Sequence, residues 1–307
     1  MERTAQQKIS ILQFRLKACI NINLERNMKK SILILLFLVL LAENLRSENG
    51  NDYVKAAVIT EPETVGVDQY FWVGVHFIVT PGWHVYWKNP GDSGLPTDIE
   101  WDLPEGFTIE EIQWPYPEKM VESDLATFGY EKEVLLMAKA KADKGVSPGD
   151  YTIKADVSWL VCKEKCFPGS VEVHTDIKVN NNTITPVLKE SSLVYKTMNK
   201  LPFESSDWLF RAETHADRVF LDIKKPDWFD GEISDLNFFP DSAGTYKHSS
   251  EPKVEKTDFG YRVYLDLDNF RDSDPRNIQG IAVISQGWDK KGERKSIKLN
   301  IPVINYR

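Results

Sequence analysis

The sequence predicts an all-β protein, in which an immunoglobulin-like antiparallel β-sandwich is followed by a second, β-sandwich-like domain. Short runs rich in β-branched and aromatic residues recur along the chain after residue 46, and clusters of Pro, Gly, Asn and Asp separate many of them. The composition, 42% hydrophobic and 27% charged, is that of a globular protein. Many short strands with turn signals between them are typical of an antiparallel sandwich.

The first domain is predicted at residues 47–182. Two turn clusters, NPGD at residues 89–92 and SPGD at residues 147–150, separate strand-forming runs within it. The predicted strands lie at residues 54–59, 70–80, 83–87, 133–140, 151–161 and 170–179.

One of these predicted strands alternates between two kinds of side chain. Trp83, Val85 and Trp87 share one face and are predicted to pack in the core. His84 and Tyr86 fall on the other face, where we expect ordinary surface positions rather than a role in chemistry.

A linker is predicted at residues 183–202, and its pattern allows a short helix. The second domain, at residues 203–307, contains no cysteine and no recognisable set of catalytic residues. Its predicted strands lie at residues 208–212, 218–223, 232–239, 261–267, 281–285 and 296–303.

Residues 1–46 are predicted to be a leader for export. An apolar run at residues 32–42 follows Lys29 and Lys30 and is about half as long as the roughly 20 residues that cross a membrane. A basic start and a short apolar stretch indicate a secretory signal, with Met28 as an alternative start of the natural chain. We therefore expect the protein in the periplasm or cell envelope, with an uncleaved membrane tether as the alternative.

Removal of the leader would make the protein strongly acidic. Residues 1–42 hold seven of the 38 basic and two of the 46 acidic residues, so the remaining chain carries a net charge of −13. An acidic surface repels phosphate backbones, and we therefore expect no nucleic-acid partner. Cys19 would also be removed, which leaves Cys162 and Cys166 as the cysteines of the exported protein.

These two cysteines are four positions apart, in the segment VCKEKCFPG at residues 161–169. In an extended strand such positions are about 13 Å apart, at about 3.3 Å per residue. A disulfide requires Cα atoms within about 7 Å of each other. If Cys162 and Cys166 are bonded, the chain must turn between them, and a three-residue hairpin loop would display the disulfide at the end of a strand.

Three roles are open to this pair: thiol–disulfide exchange, a structural cross-link and a metal site. Closing a five-residue loop stabilises a fold by only about 2 kcal/mol, against about 4.7 kcal/mol for a loop of about 100 residues, which favours exchange. Lys163 and Lys165 favour the thiolate that attacks disulfides, and Glu164 partly opposes them. Zinc needs three or four protein ligands, and His174 is the one nearby residue that could join the two cysteines as a ligand. We therefore expect no metal and no other cofactor.

Three segments, in order, resemble the periplasmic amino-terminal domain family of the thiol:disulfide interchange protein DsbD. WLVCKEKCFPG at residues 159–169 resembles its cysteine motif. GWHVYWKNPGDSG at residues 82–94 resembles an aromatic strand and turn of the broader family. WPYP at residues 114–117, followed by FGY at residues 128–130, resembles the segment that forms its cap loop.

The resemblance implies an immunoglobulin-like domain whose cysteines, Cys162 and Cys166, carry electrons, with either able to lead the attack. It also implies a cap over the disulfide, with Phe128 or Tyr130 as the covering aromatic. Trp159 and Pro168 are expected to form the wall of the site. Asp124, Glu131 and Glu133, near the expected cap, could tune the thiol pKa, although solvated loop acids are the simpler interpretation.

The implied partners are a separate membrane electron donor of the DsbD type and disulfide-bonded periplasmic clients, including factors of cytochrome c maturation. The donor is expected to be separate because the chain lacks a multi-span membrane domain and a thioredoxin domain with its own Cys-x-x-Cys. The alternative function is a cell-envelope binding module, not an enzyme, in which the disulfide is structural.

Overall fold

The computed structural model describes residues 48–182 and 189–305, so the predicted leader and part of the predicted linker lie outside the described residues. The described part contains a 3₁₀ turn at Gly50–Asp52, eighteen strands and the helix α1 (Leu193–Lys200), which confirms the all-β prediction. In chain order, the strands are β1 (Val54–Glu61), β2 (Thr64–Gly66), β3 (Tyr70–Val79), β4 (His84–Gly91), β5 (Asp98–Asp102), β6 (Phe107–Ile109), β7 (Glu118–Glu122), β8 (Leu125–Glu131), β9 (Glu133–Ala142), β10 (Gly149–Cys162), β11 (Cys166–Asn180), β12 (Leu209–His215), β13 (Arg218–Lys224), β14 (Asn237–Pro240), β15 (Lys253–Thr257), β16 (Gly260–Asp266), β17 (Asn277–Val283) and β18 (Ser296–Asn305).

Strands β1 to β11 form an immunoglobulin-like sandwich of two sheets. One sheet has the order β1-β3-β9-β6, and the other has the order β2-β11-β10-β4-β8-β7, with β5 also pairing with β10. All of these pairs are antiparallel except β2 with β11. The core between the sheets includes the fully buried side chains Phe71, Phe77, Trp87, Phe128, Leu136 and Ile153.

Strand β10 shows why the two faces of its sheet differ. Ile153, Ala155 and Val157 are buried, whereas the residues between them are exposed. Side chains alternate between the two faces of a strand, so the odd-numbered residues of β10 fill the core. The even-numbered residues, which end with Cys162, point to the outer face.

Strands β12 to β18 form a separate sheet with its own core, called the second sheet because it builds the second half of the chain. The order is β14-β17-β18-β12-β13-β16-β15. Strand β18 pairs with β17 through Ser296 to Pro302 and then with β12 from Val303 onwards, so it joins the two halves of the sheet. Trp208 lies in the core between them, with its ring centroid 4.8 Å from that of Trp288, and it donates a hydrogen bond to the Trp288 carbonyl oxygen.

The prediction of a strand at residues 232–239 is wrong over most of that range. Only Asn237–Pro240 is a strand, because the preceding residues form an irregular loop. Ile233 and Leu236 are nevertheless buried and anchor that loop in the core. Buried apolar residues can therefore mark a packed loop as well as a strand.

The predicted linker contains the helix that its pattern allowed. Ser192 caps α1, since its Oγ accepts a hydrogen bond from the Tyr195 N–H at 3.1 Å. Val194 of the helix packs against Leu135 and Met137 of β9. The helix is thereby attached to the outer side of the first sandwich.

The second sheet packs directly against the first sandwich, within one compact unit that spans Asn49–Arg307. Phe239 belongs to the first core, with its ring 5.1 Å from Phe128 and 6.2 Å from Trp87. Asn89 Nδ2 donates a hydrogen bond of 2.8 Å to the Pro240 carbonyl oxygen beside this ring. Burial of an aromatic ring is a large apolar contribution, so Phe239 holds the two halves together.

We predict that Phe239→Ala lowers the free energy of unfolding by about 3 kcal/mol or more, because it removes a buried ring and leaves a cavity. Phe270→Ala is the matched control, since Phe270 is 95% exposed, and it should change stability by less than about 0.5 kcal/mol. Urea unfolding of both variants measures the difference. Equal stability of the two variants would contradict the packing of Phe239 in the first core.

Candidate functional site

The two cysteines lie at the tip of the longest hairpin of the sandwich. Strands β10 and β11 pair in continuous register from Gly149 opposite Val179 to Cys162 opposite Cys166. The backbone turns through the three residues between the cysteines, with the Lys163 N–H donating to the Lys165 carbonyl oxygen. Cys162 and Cys166 form a disulfide with a Cα–Cα distance of 4.2 Å, which confirms the predicted turn.

The two sulfur-bearing residues differ sharply in exposure. Cys162 is 2% exposed because β10 lies between β11 and β4, where Cys162 pairs with His84. Cys166 is exposed because it begins β11, whose outer side pairs, among the described residues, with β2 only at Lys178–Asn180. A partner molecule can therefore reach Cys166 but not Cys162.

His84 and Tyr86 lie next to this site, and the expectation of an ordinary surface position is wrong for Tyr86, which is buried. Tyr86 is 2% exposed, and its Oη lies 4.0 Å from Cys166 Sγ. The His84 ring is half-buried and meets the Tyr86 ring edge-on at 5.1 Å. Both residues lie on the sheet face that carries Cys162, since His84 pairs directly with that cysteine.

A loop after β4 covers the Tyr86 ring. A Cβ on Gly94 would lie 2.2 Å from this ring, so only glycine allows the backbone to approach it. The Thr97 hydroxyl donates a hydrogen bond to the Tyr86 carbonyl oxygen at 3.4 Å. The sequence did not reveal this cover, because the loop returns over its own strand only in three dimensions.

Burial changes the proton affinities of both side chains. It lowers the pKa of His84, and the negative charge of Glu131 opposes this change. Burial raises the pKa of Tyr86. Both groups are consequently uncharged near neutral pH, beside the disulfide.

The two aromatic residues expected to cap the disulfide do not cover it. Phe128 and Tyr130 lie in strand β8, and both are buried in the core. Tyr130 pairs with Val85, so the two aromatic residues point to the face opposite His84 and Cys162. Tyr130 donates a hydrogen bond to the Pro115 carbonyl oxygen at 2.7 Å, which ties the WPYP segment to this strand.

Trp159 and Pro168, the other expected wall residues, occupy different layers. Trp159 is buried, and its ring meets Phe77 edge-on at 6.0 Å. Pro168 is exposed on the outer face, opposite Leu160 in the hairpin register. Trp159 therefore supports the hairpin from the core side, and Pro168 borders a groove on the outer surface of the hairpin.

This groove, of about 510 Å³, lies on the hairpin and extends towards the loop after β4. Its lining residues are Asn49, Asn51, Leu95, Pro96, Ser158, Trp159, Leu160, Pro168, Gly169 and Ser170. The Asn51 side chain exchanges two hydrogen bonds of 2.9 Å with the Ser170 backbone and so closes part of the free edge of β11.

An aromatic cluster packs beside the hairpin tip and was not predicted as part of the site. Tyr53 stacks on Trp83 with ring centroids 3.8 Å apart, and Phe167 lies 5.7 Å from Tyr53. Because Phe167 directly follows Cys166, this cluster fixes the start of β11. The cluster gives the exposed cysteine a rigid neighbour.

The charged residues of the turn and the nearest histidine lie outside the buried part of the site. Lys163, Glu164 and Lys165 are all exposed, and their effect on a thiolate stays a prediction. His174 is eight residues from Cys166 along β11, a distance of about 26 Å in an extended strand. A metal shared by His174 and the cysteines is therefore excluded by distance.

The remaining acids that were expected near the cap lie in the β7–β8 hairpin and at the start of β9. Asp124 is exposed in the turn of this hairpin. Glu133 lies 3.2 Å from His76 and not at the site. Glu131 pairs with His84 across β8 and β4, and it alone of the three faces the site.

Comparison with solved structures supports this fold. The amino-terminal periplasmic domain of ScsB from Proteus mirabilis has a TM-score of 0.57 at 17% identity, over 83% of this chain and 96% of that one. The major pilin BcpA of Bacillus cereus (9% identity, TM-score 0.26) aligns over 82% of this chain and 69% of its own. The pilin SpaD of Corynebacterium diphtheriae (9%, TM-score 0.25) aligns over 83% and 67%. The similarity to the pilins is too weak to support an argument.

No curated protein matches the sequence. One family profile does, described as the amino-terminal part of the thiol:disulfide interchange protein DsbD, and it covers residues 53–177. This range includes the whole hairpin tip, both cysteines, His84 and Tyr86. The first sandwich of this chain is therefore similar to the amino-terminal domain of DsbD in sequence, and the ScsB domain shows the same fold.

Proposed function

We propose that the protein is a thiol–disulfide interchange protein of the cell envelope, which passes two electrons from its reduced cysteine pair to disulfide-bonded client proteins. The observation that carries this proposal is the unequal exposure of the pair, with Cys166 exposed and Cys162 2% exposed. An exchange site needs one sulfur within reach of the partner and a second held beside the first.

The reaction begins at Cys166. Its thiolate attacks one sulfur of the client disulfide, a mixed disulfide forms, and the other client sulfur leaves with the electron pair. Cys162 then attacks Cys166 Sγ, and the second client sulfur leaves as a thiolate. The client gains two electrons and two protons, and Cys162 and Cys166 are joined again.

The surroundings of Cys166 suit an attacking thiol. Lys163 and Lys165 are close in sequence and carry positive charge, which favours the thiolate, whereas Glu164 partly opposes them. The Tyr86 hydroxyl lies 4.0 Å from Cys166 Sγ, near enough to approach a sulfur that gains charge. Cys162 has no comparable access to solvent.

The position of the bond also supports exchange over a structural role. It closes a loop of five residues, which stabilises a fold by only about 2 kcal/mol. The register of β10 and β11 continues over fourteen residue pairs, so the hairpin does not depend on the bond for its alignment. A cell-envelope binding module with an inert disulfide is the competing function, and the first experiment below distinguishes the two.

Electrons would come from a separate membrane protein of the DsbD type, and the clients would be disulfide-bonded periplasmic proteins, including cytochrome c maturation factors. The match of residues 53–177 to the DsbD amino-terminal family and the predicted leader support export. None of the helices in the described parts of the chain is long and apolar enough to span a lipid bilayer. No small-molecule cofactor enters the proposed reaction.

We predict that the Cys162–Cys166 bond equilibrates with glutathione or dithiothreitol buffers at a potential typical of exchange proteins. Titration of the purified full chain, followed by mass spectrometry of alkylated thiols, measures this potential. All samples carry Cys19→Ser, so that the alkylated thiols come only from Cys162 and Cys166. A value well below about −300 mV would identify a bond that the cellular pool does not open, and the structural role would then be correct.

We further predict that Cys162→Ser accumulates a mixed disulfide with an oxidised client or with oxidised glutathione, since Cys166 can attack but nothing resolves the product. Cys166→Ser should react more than about tenfold more slowly, because its remaining thiol is buried. The free energies of unfolding of the two variants should differ by less than about 2 kcal/mol, because both variants lose the same short cross-link. Faster reaction of Cys166→Ser would show that Cys162 leads.

A further inference from the structure

Four residues form a row across the sheet at the hairpin tip. The register pairs Glu131 of β8 with His84 of β4, His84 with Cys162 of β10, and Cys162 with Cys166 of β11. Paired residues on neighbouring antiparallel strands point to the same face, with Cβ atoms about 4.5–5.5 Å apart. His84 therefore lies between a carboxylate and the buried cysteine.

The His84 side chain is held in a form that can accept a proton. Its Nε2 is buried and has no hydrogen-bond partner among the described residues. The Tyr86 ring packs edge-on against the imidazole at 5.1 Å and limits its movement. Because burial lowers the pKa of His84, the ring is mostly neutral at pH 7, with a nitrogen lone pair available.

The second step of the exchange needs such an acceptor. Cys162 must lose its proton before it can attack the mixed disulfide at Cys166. Cys162 is 2% exposed, and burial in apolar surroundings disfavours the thiolate.

We propose that His84 is the proton acceptor for Cys162 in the resolving step, and that Glu131 stabilises the imidazolium that results. This inference rests on the proposed exchange function. The Cys162 Sγ proton passes to the imidazole, and the thiolate attacks Cys166 Sγ. The bond between Cys166 and the client breaks, and the electron pair leaves on the client sulfur. That sulfur takes up a proton from the imidazolium or from water.

The two steps can be separated with dithiobis(nitrobenzoate), an aromatic disulfide whose thiolate product is coloured. The reduced full chain with Cys19→Ser should release one product thiolate at a rate proportional to the reagent concentration, as Cys166 attacks. It should then release a second thiolate at a rate independent of that concentration, as Cys162 resolves the mixed disulfide. Stopped-flow absorbance records both phases.

In this assay, His84→Gln should leave the rate of the first phase within about twofold of the wild-type rate. It should slow the second phase at least about tenfold at pH 7, since an amide cannot take the proton. His174→Gln is the matched control, because His174 is exposed on the same hairpin far from the sulfurs, and it should change neither phase. Glu131→Gln should slow the second phase several-fold. If His84→Gln does not fold, Glu131→Gln is the test in its place.

An unchanged second phase in His84→Gln, or in Glu131→Gln where that variant is used, would overturn the assignment of His84. Slowing of the first phase alone would also overturn it, since His84 would then serve Cys166. A reduced wild-type chain that releases no coloured thiolate at all, or one thiolate without the second, would instead refute the proposed exchange function.

Discussion

The pairing of strand β10 on both sides at its carboxyl end determines the properties of the site. On one side β11 begins directly after the turn and brings Cys166 opposite Cys162. On the other side β4 pairs with Val161 and Cys162, and this pairing buries Cys162. Because backbone hydrogen bonds position the two cysteines differently, one disulfide presents a reachable sulfur and a protected one. In the proposed exchange, the different roles of Cys166 and Cys162 follow from this pairing.

The second half of the protein contacts the loop that covers the site. Asn89 bonds to the Pro240 carbonyl oxygen, and the buried His248 lies 2.8 Å from the Asp92 carboxylate. Two residues further along the same loop, Gly94 lies against the Tyr86 ring. The second sheet therefore stabilises the cover of the site without contributing a sulfur, and its packing around Phe239 is part of the support for the first sandwich.

The cysteine hairpin could be predicted from local sequence because its constraints are local. Cysteines four positions apart can bond only if the chain turns between them, and residues 151–161 and 170–179 have the alternation of strands. The all-β class followed from the same alternation. The short strands β2, β5, β6 and β7 could not be predicted in this way, since runs of only three to five residues show no clear alternation and become strands by pairing with a neighbour.

The faces of strands were harder to assign than the strands. Alternation correctly placed Val85 and Trp87 in the core, but it suggested solvent for Tyr86, which the loop after its own strand covers at Gly94. Phe128 and Tyr130 match a cap segment by sequence order, yet their register with β4 directs them into the core. The face on which a residue lies depends on its strand alone, whereas the cover over that face depends on how other segments of the chain fold back.

Local sequence was enough to predict the strand-rich class, the turn that a bond between Cys162 and Cys166 requires, and the resemblance of the first sandwich to the DsbD amino-terminal domain. Contacts between distant strands were needed to show which cysteine is exposed, that His84 stands between Glu131 and Cys162, and that the second sheet supports the loop over Tyr86. The physical reason is that turns and alternation are set by neighbouring residues, whereas burial and cross-strand contacts arise from pairing between strands that are distant in sequence.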